Sequence, residues 1–253
     1  MESHPNPSLE PPPAPADVGV VAALGIEIGH LVDRLAGVRR YEARGLTVIE
    51  GELEDRLVVV AAAGAGVDAV RRGVERLMDG HRPRAIVSAG FAGALDPNLS
   101  RNDLIAPREV VDGRGGAIAL DAAAAAAVPT VKVVGRLLLV DRIVGSVAEK
   151  ARLRDERAAD AIDMETFAAA DAARARGVPF HALRVVSDDA ATELPPEIGR
   201  MLNASGAYRV GAALRALAGR PSVLMDFWSL HAHAQQAADR LADALQVLLR
   251  NLP

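Results

Sequence analysis

The sequence contains no cysteine and few aromatic residues, and both shortages limit what the protein can be. Without cysteine, disulfide bonds, thiolate nucleophiles and cysteine-ligated zinc sites are excluded. The same shortage fits a cytoplasmic protein. Aromatic residues make up 3% of the 253 residues, whereas half of the residues are apolar. We therefore predict a large core of small, closely packed side chains, with helices on a valine-rich sheet.

Charge and hydropathy point to neither a nucleic acid nor a membrane as partner. The net charge is −4 and both signs are interspersed, so no basic stripe could follow a nucleic-acid backbone. No apolar run is long enough to form an integral membrane segment. Residues 1–16 hold six prolines and no apolar stretch typical of a signal peptide. We predict a disordered proline-rich tail over residues 1–17 and one domain over residues 18–253.

Alternating strand and helix patterns predict an α/β fold. Short apolar runs alternate with segments of helical spacing, which favours a parallel or mixed sheet covered on both faces. Two neighbouring runs, 46–52 and 56–62, are expected to form a hairpin, which makes the sheet mixed. A strand over 85–88 is expected to end in a small-residue turn. From residue 202 we predict two helices, the second an amphipathic one from about 224 to 249 that packs on the outside.

Two acidic segments stand out, Ala161–Thr166 (AIDMET) and Arg184–Asp189 (RVVSDD). Between them lies a segment of helical length, Phe167–Arg176, closed by Gly177 and a proline, which is typical of a helix end. The pattern predicts a strand, an acid, a helix, a strand and an acid. Open α/β sheets bind ligands at the carboxyl ends of their strands, so we predict a catalytic cleft where these acids meet.

Weaker signals leave alternatives open. Glu27 follows the first strand among isoleucines and glycines, so it is either a partly buried base with a raised pKa or an ordinary acid in the first turn of a helix. Residues 63–69 (AGAGVDA) loosely match a dinucleotide fingerprint, but no acid follows about twenty residues on, which favours a tight turn. His231 and His233 are two apart on a predicted helix and do not share a face, so no metal site is predicted.

Four stretches occur in the order VVAALGIEIGHL, AIVSAGFAGALDPNLSRNDLI, AIDMETFAAADAA and LRVVSDDA. Together they resemble the nucleoside phosphorylase superfamily and, within it, purine nucleosidases such as methylthioadenosine/S-adenosylhomocysteine nucleosidase. The resemblance covers about residues 18–218 and implies a three-layer fold, with a central mixed sheet flanked by helices, no cofactor and a homodimer. Three further short matches are Ala148–Lys150, Leu194–Pro196 and Gly219–Pro221. These are similar to the hopanoid-associated phosphorylases, which act on an adenosine with a large lipid at its 5′ carbon.

The resemblance also implies a role for each matched residue. Asp188 would donate a proton toward N7 of the purine, and Glu27 would activate the attacking water. Glu165 would hold the ribose hydroxyls. The other predicted substrate contacts are Met164 against the sugar, Ser187 beside the acid, Gly90, Phe91, Ala92 and Gly93 near the ribose, and the backbone of Ile143 and Val144 facing the base.

Two departures from the family pattern concern phosphate. Phosphorylases of the superfamily hold phosphate with arginines and a hydroxyl, but here Ser88 stands in place of the mid-chain arginine and Phe91 in place of the usual serine. A dianionic phosphate without guanidinium partners would be held poorly. We therefore expect a nucleosidase that releases adenine from a 5′-substituted adenosine. The alternatives are a phosphate-dependent purine nucleoside phosphorylase and a nucleoside-binding relative without turnover, which the presence of all three acids disfavours.

Overall fold

A computed structural model describes residues 15–43, 45–194 and 221–252, and these residues form ten strands and six helices. The strands are β1 (Val18–Ala22), β2 (Ala36–Glu42), β3 (Thr47–Leu53), β4 (Arg56–Ala62), β5 (Ala85–Ala94), β6 (Leu104–Val111), β7 (Ala117–Ala119), β8 (Val131–Leu139), β9 (Ala161–Asp163) and β10 (Phe180–Asp188). The helices are α1 (Gly25–Val32), α2 (Val67–His81), α3 (Ala123–Ala126), α4 (Val147–Arg157), α5 (Thr166–Ala175) and α6 (Pro221–Asn251).

All ten strands belong to one mixed sheet, as predicted. β1, β4 and β10 run in the direction of β5, whereas β9 runs against it. Five strands close into a ring, from β5 through β10, β6, β8 and β9 back to β5. From β5 the sheet also extends outward through β1, β4, β3 and β2. β5 therefore pairs with three strands, β1, β10 and β9, so distant segments of the chain meet beside it.

Helices cover both faces of the sheet, which confirms the expected layers. α1 and α6 pack on one face, where Leu31 and Leu241 lie against β-strand residues such as Val20. α2 and α5 pack on the other, where Val74 joins the neighbouring strand residue Val21. Successive residues of a strand point to opposite faces, so the valine-rich strands supply both cores. The small alanine side chains of α5 let it lie close to the sheet.

Several local expectations were wrong. The predicted turn over 88–94 is a continuation of β5, and its small residues lie where β10 and β9 pair with it. β2 was not predicted because every one of its residues is exposed, so it lacks the apolar alternation of a half-buried strand. The alanine-rich segment that ends at residue 127 forms only the short helix α3, and β7 precedes it. Alanine repeats carry no pattern that fixes the ends of an element.

The structure describes only part of the predicted tail and of the predicted C-terminal region. Residues 1–14 of the predicted tail, and the helix predicted from residue 202, lie outside the described residues. Ala16 is buried and its amide donates to the carbonyl of His81, while Asp17 accepts from the amide of Leu57. The packed domain therefore begins at least two residues before the predicted boundary. Among the described helices, none combines the length and apolar character needed to cross a bilayer.

Candidate active site

The candidate site lies beside β5, where two of its neighbours leave an opening. β1 pairs with β5 up to Ser88, and β9 begins to pair with β5 at Gly93. β10 occupies the other side of β5 along this length. Among the described strands, none pairs with residues 89–92 on the open side. Backbone groups of a central strand thus face a space that side chains from several loops surround.

Glu27 reaches this opening from the first turn of α1. Its carboxylate accepts hydrogen bonds from the amide of Leu24 at 2.7 Å and from the amide of Phe91, on β5, at 2.9 Å. Glu27 is buried, and burial raises its pKa, although the two amides and the charge of Arg184 oppose this rise. Because the bond from Leu24 also caps α1, Glu27 is an acid of the first helical turn as well as a buried carboxylate with a raised pKa. The structure places a buried carboxylate at the open strand edge.

Glycine at position 90 is what allows Glu27 to approach β5. A Cβ atom at Gly90 would lie 2.7 Å from Oε1 of Glu27, a separation that real Cβ atoms essentially never show. Gly93 is a less tight contact of the other predicted catalytic residue, since a Cβ there would lie 3.3 Å from Oδ2 of Asp188. Glu27 and Asp188 therefore both contact β5, at positions three residues apart along the strand.

Glu165 joins Glu27 from the other side of the opening. It precedes the first residue of α5, and its Oε1 accepts a hydrogen bond of 2.7 Å from the amide of Gly66. Burial, together with the charges of Asp163 and Glu27, raises the pKa of Glu165 to about 8, against the Gly66 amide and Arg184. Gly66 adopts a φ of 95°, which favours glycine. The loop that loosely matched a dinucleotide fingerprint therefore holds a carboxylate.

Asp188 ends β10 and is nearly fully buried. Its Oδ2 accepts a hydrogen bond of 2.6 Å from Nζ of Lys150, and its Oδ1 accepts one of 2.6 Å from Oγ of Ser187. Lys150 is fully buried, so the ion pair lies away from solvent. The structure thus fixes both oxygens of this acid.

Arg184 forms a buried network behind the three acids. Its guanidinium donates to the carbonyl and the hydroxyl of Ser88 at 2.8 and 2.7 Å, to Asp163 at 3.0 Å and to the hydroxyl of Thr166 at 2.6 Å. Arg184 and Asp163 are both buried, so each neutralises the other in a place where a lone charge is costly. The pKa of Glu27 and that of Glu165 are both raised, and the positive charge of Arg184 offsets part of each rise.

Of the other predicted substrate contacts, four lie on β5, Ser187 precedes Asp188 and Met164 precedes Glu165 in the chain. The side chain of Val144 packs in an apolar cluster with Ile162, which leaves only its backbone for a ligand. Phe91 packs partly against the core beneath α1 and α6, and Ala92 is buried. Met164 and Ile143 are partly exposed.

Comparison with known proteins identifies the family. The model of the phosphorylase superfamily matches two overlapping segments, residues 17–120 and 114–218. The chain belongs to this superfamily. It is 25% identical over 195 residues to 5′-methylthioadenosine/S-adenosylhomocysteine nucleosidase of Staphylococcus haemolyticus, which covers 68% of this chain and 86% of the relative. A nucleosidase of the same name from Shewanella sp. is 24% identical, over 75% of this chain and 91% of its own.

Two solved structures share the fold. S-adenosylhomocysteine nucleosidase of Streptococcus pyogenes superimposes with a TM-score of 0.74 at 20% identity, over 94% of this chain and 98% of its own. Futalosine hydrolase of Helicobacter pylori superimposes with a TM-score of 0.73 at 20% identity, over 93% and 97%. The chain therefore shares its overall fold with these two solved structures.

Three residues at the site of this phosphorylase-superfamily chain had no predicted role. Gly66 holds Glu165, Arg184 balances the acids and Lys150 pairs with Asp188. A signal for Arg184 was present, since it interrupts the apolar run of a buried strand and a buried charge requires a partner. Lys150 lies in a charged helix that reads as solvent-exposed, so its burial gave no signal in the sequence.

Proposed function

We propose that the protein is a purine nucleosidase, which hydrolyses the N-glycosidic bond of a 5′-substituted adenosine and releases adenine. The observation that carries the proposal is that Glu27 and Asp188 both contact β5, at Gly90 and Gly93, and that Glu165 lies close enough to Glu27 for their charges to interact. Each acid is held by different partners. The nucleosidases named above, to which the chain is similar along most of its length, support the same class of reaction.

Each acid has a task in this reaction. As the bond between C1′ and N9 breaks, protonated Asp188 passes its proton to N7 and the base leaves as neutral adenine. Glu165 accepts hydrogen bonds from the ribose hydroxyls, which strengthen as positive charge develops on the ring. Glu27 takes one proton from the water whose oxygen bonds to C1′. The proton on Glu27 returns through solvent to Asp188, so that nucleoside and water give adenine and a free sugar.

The environments of the acids suit these different tasks. Carboxylates with separate roles require separate surroundings. Glu27 is buried and has a raised pKa, as a base for water requires, while two amides fix its position. Asp188 instead has a buried ammonium group beside it, which stabilises the anion that remains after proton transfer.

The hydrogen bonds of Arg184 favour hydrolysis over phosphorolysis. This is the arginine whose charge acts on both Glu27 and Glu165. Its three guanidinium nitrogens all donate to oxygen atoms of the protein. Binding of a phosphate dianion by Arg184 would require the loss of these buried hydrogen bonds.

The test is the release of free adenine from a panel of nucleosides, measured with and without phosphate. The panel contains methylthioadenosine, S-adenosylhomocysteine and an adenosine with a long apolar 5′ group, because the 5′ substituent is the open part of the proposal. We expect adenine from at least one of them at a rate that phosphate does not change. A tenfold or larger stimulation by phosphate would instead indicate a phosphorylase, and no release from any nucleoside would indicate a binding protein.

The role of Asp188 is tested by its replacement with asparagine. Asp188→Asn keeps the shape but removes the proton donor, so we expect adenine release to fall by a factor of about 10²–10⁴. The variant should also be less stable than wild type, because Lys150 loses its buried counter-charge, so activity is compared in protein that circular dichroism shows to be folded. Asp189→Asn is the matched control, because the carboxylate of Asp189 accepts only from its own turn, at Ala191 and Thr192. Activity retained in Asp188→Asn would show that this residue is not the acid.

The homodimer stays a prediction, which sedimentation can check.

A further inference from the structure

Lys150 is a buried cation, and its ammonium group donates hydrogen bonds to the candidate acid and to the loop that follows the acid. The side chain extends from α4 and is fully buried. Its Nζ donates to Oδ2 of Asp188 at 2.6 Å, to the carbonyl of Asp189 at 2.8 Å and to the carbonyl of Thr192 at 3.0 Å. An ammonium group has three N–H donors, and here each donor has an acceptor.

The choice of lysine is itself informative in this chain. Of the 29 lysine and arginine residues only Lys132 and Lys150 are lysines. A lysine presents its donors around a single nitrogen atom, whereas arginine spreads them over a planar fork. Three acceptors that converge on one point therefore suit lysine, and burial makes that fit costly to replace.

Lys150 also belongs to a wider connection between two sides of the site. The carbonyl of Gly145 accepts from the amide of Leu194 at 2.9 Å, and Glu193 accepts from the amide of Val147 at 2.8 Å. The segment 145–150 is thus joined at three places to the segment 188–194 that begins with the acid. The backbone of residues 143 and 144, predicted to face the purine, directly precedes this segment.

We propose that Lys150 is the positioning residue of the leaving-group acid. The ammonium holds Oδ2 of Asp188 and fixes the acid relative to the segment predicted to face the base. When Asp188 gives its proton to N7 as the C1′–N9 bond breaks, Lys150 keeps its own protons and stabilises the carboxylate that remains. Lys150 therefore acts on departure of the base and not on binding of the sugar. This inference rests on the proposed function.

The experiment compares two leaving groups in wild type and in Lys150→Met. Methionine keeps the length of the side chain and removes the charge. Adenine needs protonation to leave, whereas p-nitrophenolate leaves from a p-nitrophenyl riboside as a stable anion. We expect Lys150→Met to lower kcat for adenine release about 100-fold, with KM and the hydrolysis of the p-nitrophenyl riboside within about threefold of wild type.

Lys132→Met is the matched control, since Nζ of Lys132 lies 2.6 Å from Asp103 in an ion pair whose lysine is 49% exposed. We expect it to behave as wild type. Equal losses on both leaving groups in Lys150→Met would show a merely structural role and overturn the inference. Adenine release within about threefold of wild type would overturn it as well. Absence of adenine release by wild type is a different result, because it refutes the proposed function itself.

A second comparison applies even if Lys150→Met fails to fold, as removal of one member of a buried ion pair can cause. The double variant Asp188→Asn/Lys150→Met has no unpaired buried charge at this position. If Lys150 acts through Asp188, adding Lys150→Met to Asp188→Asn changes the remaining adenine release by no more than about threefold. A further large loss in the double variant, at unchanged thermal stability, would show that Lys150 acts elsewhere and would refute the proposal.

Discussion

Gly90→Ala is the substitution whose effect the structure defines most sharply. The added Cβ would lie 2.7 Å from Oε1 of Glu27 and 3.1 Å from its Cδ, whereas ordinary contact begins at 3.4 Å. The carboxylate would have to withdraw by the difference of 3.4 and 2.7 Å, which is about 0.7 Å. Withdrawal lengthens the contact between Glu27 and the amide of Phe91 from 2.9 Å to roughly 3.6 Å, beyond hydrogen-bond range.

Two consequences follow for the Gly90→Ala variant. A hydrogen bond to a buried charged group is lost, which we expect to lower the free energy of unfolding by about 1.5–3 kcal/mol. The carboxylate proposed to take the proton of water is displaced by a large part of 1 Å, and such a displacement lowers kcat by about 100-fold. KM should change little, because the proposed contact of Glu27 is with the water and not with the purine.

Gly29→Ala provides the control within the same helix as Glu27. A Cβ at Gly29 meets no atom within 4 Å, and alanine is preferred to glycine inside helices by about 0.5–1 kcal/mol. We expect full activity and slightly higher stability. The assay is adenine release at saturating nucleoside, together with urea unfolding of both variants. If Gly90→Ala kept kcat within about threefold of wild type, the assignment of Glu27 as a base held against β5 would be wrong.

Three further predictions concern the same site. Because the pKa of Glu165 rises from 4.5 to about 8 on folding, the folded protein keeps a proton that the unfolded chain releases. The contribution of Glu165 to the free energy of unfolding is therefore complete below pH 4.5 and is lost as pH rises through 8. The free energy of unfolding falls by at most about 5 kcal/mol over this range. Urea unfolding from about pH 5 to 9 should therefore show wild type losing stability relative to Glu165→Gln, and parallel curves would contradict this. Gly66→Ala should lower the free energy of unfolding by about 1–3 kcal/mol, because alanine is strained at a φ of 95°. The same variant should raise KM, because Glu165 loses the amide that holds it. An unchanged KM would show that Gly66 has no effect on sugar binding. Ser187→Ala should lower kcat about tenfold through loss of a hydrogen bond to Asp188, measured as adenine release, with unchanged KM.

The fold and the main acids could be predicted from the sequence because they depend on local patterns. Apolar runs that alternate with helical spacing predicted the mixed sheet and its layers, and Glu165 follows β9 while Asp188 ends β10, as their segments indicated. Glu27 was ambiguous in the sequence, since its burial depends on the approach of β5 at Gly90. That approach is a tertiary contact between distant parts of the chain, which periodicity does not encode.

The remaining features depend on contacts between segments far apart in the sequence. The closed ring requires β6 to pair with β10, and no pattern within either strand specifies its partner. The turn expected over 88–94 was wrong because small residues are typical both of turns and of places where other groups come close to a strand. Lys150 looked like one more charge on a polar helix, although its partners, Asp188 and the carbonyls behind it, lie about forty residues further on.

The opening beside residues 89–92 of β5 has a consequence for how specificity can change. A sheet edge at the surface of a protein can recruit another strand, but here the amide of Phe91 already donates to the buried carboxylate of Glu27. A hydrogen bond from a backbone amide does not depend on the side chain that the residue carries. Under the proposed function, a substitution at Phe91 would therefore change the wall of the site while the main-chain contact that holds Glu27 stays the same.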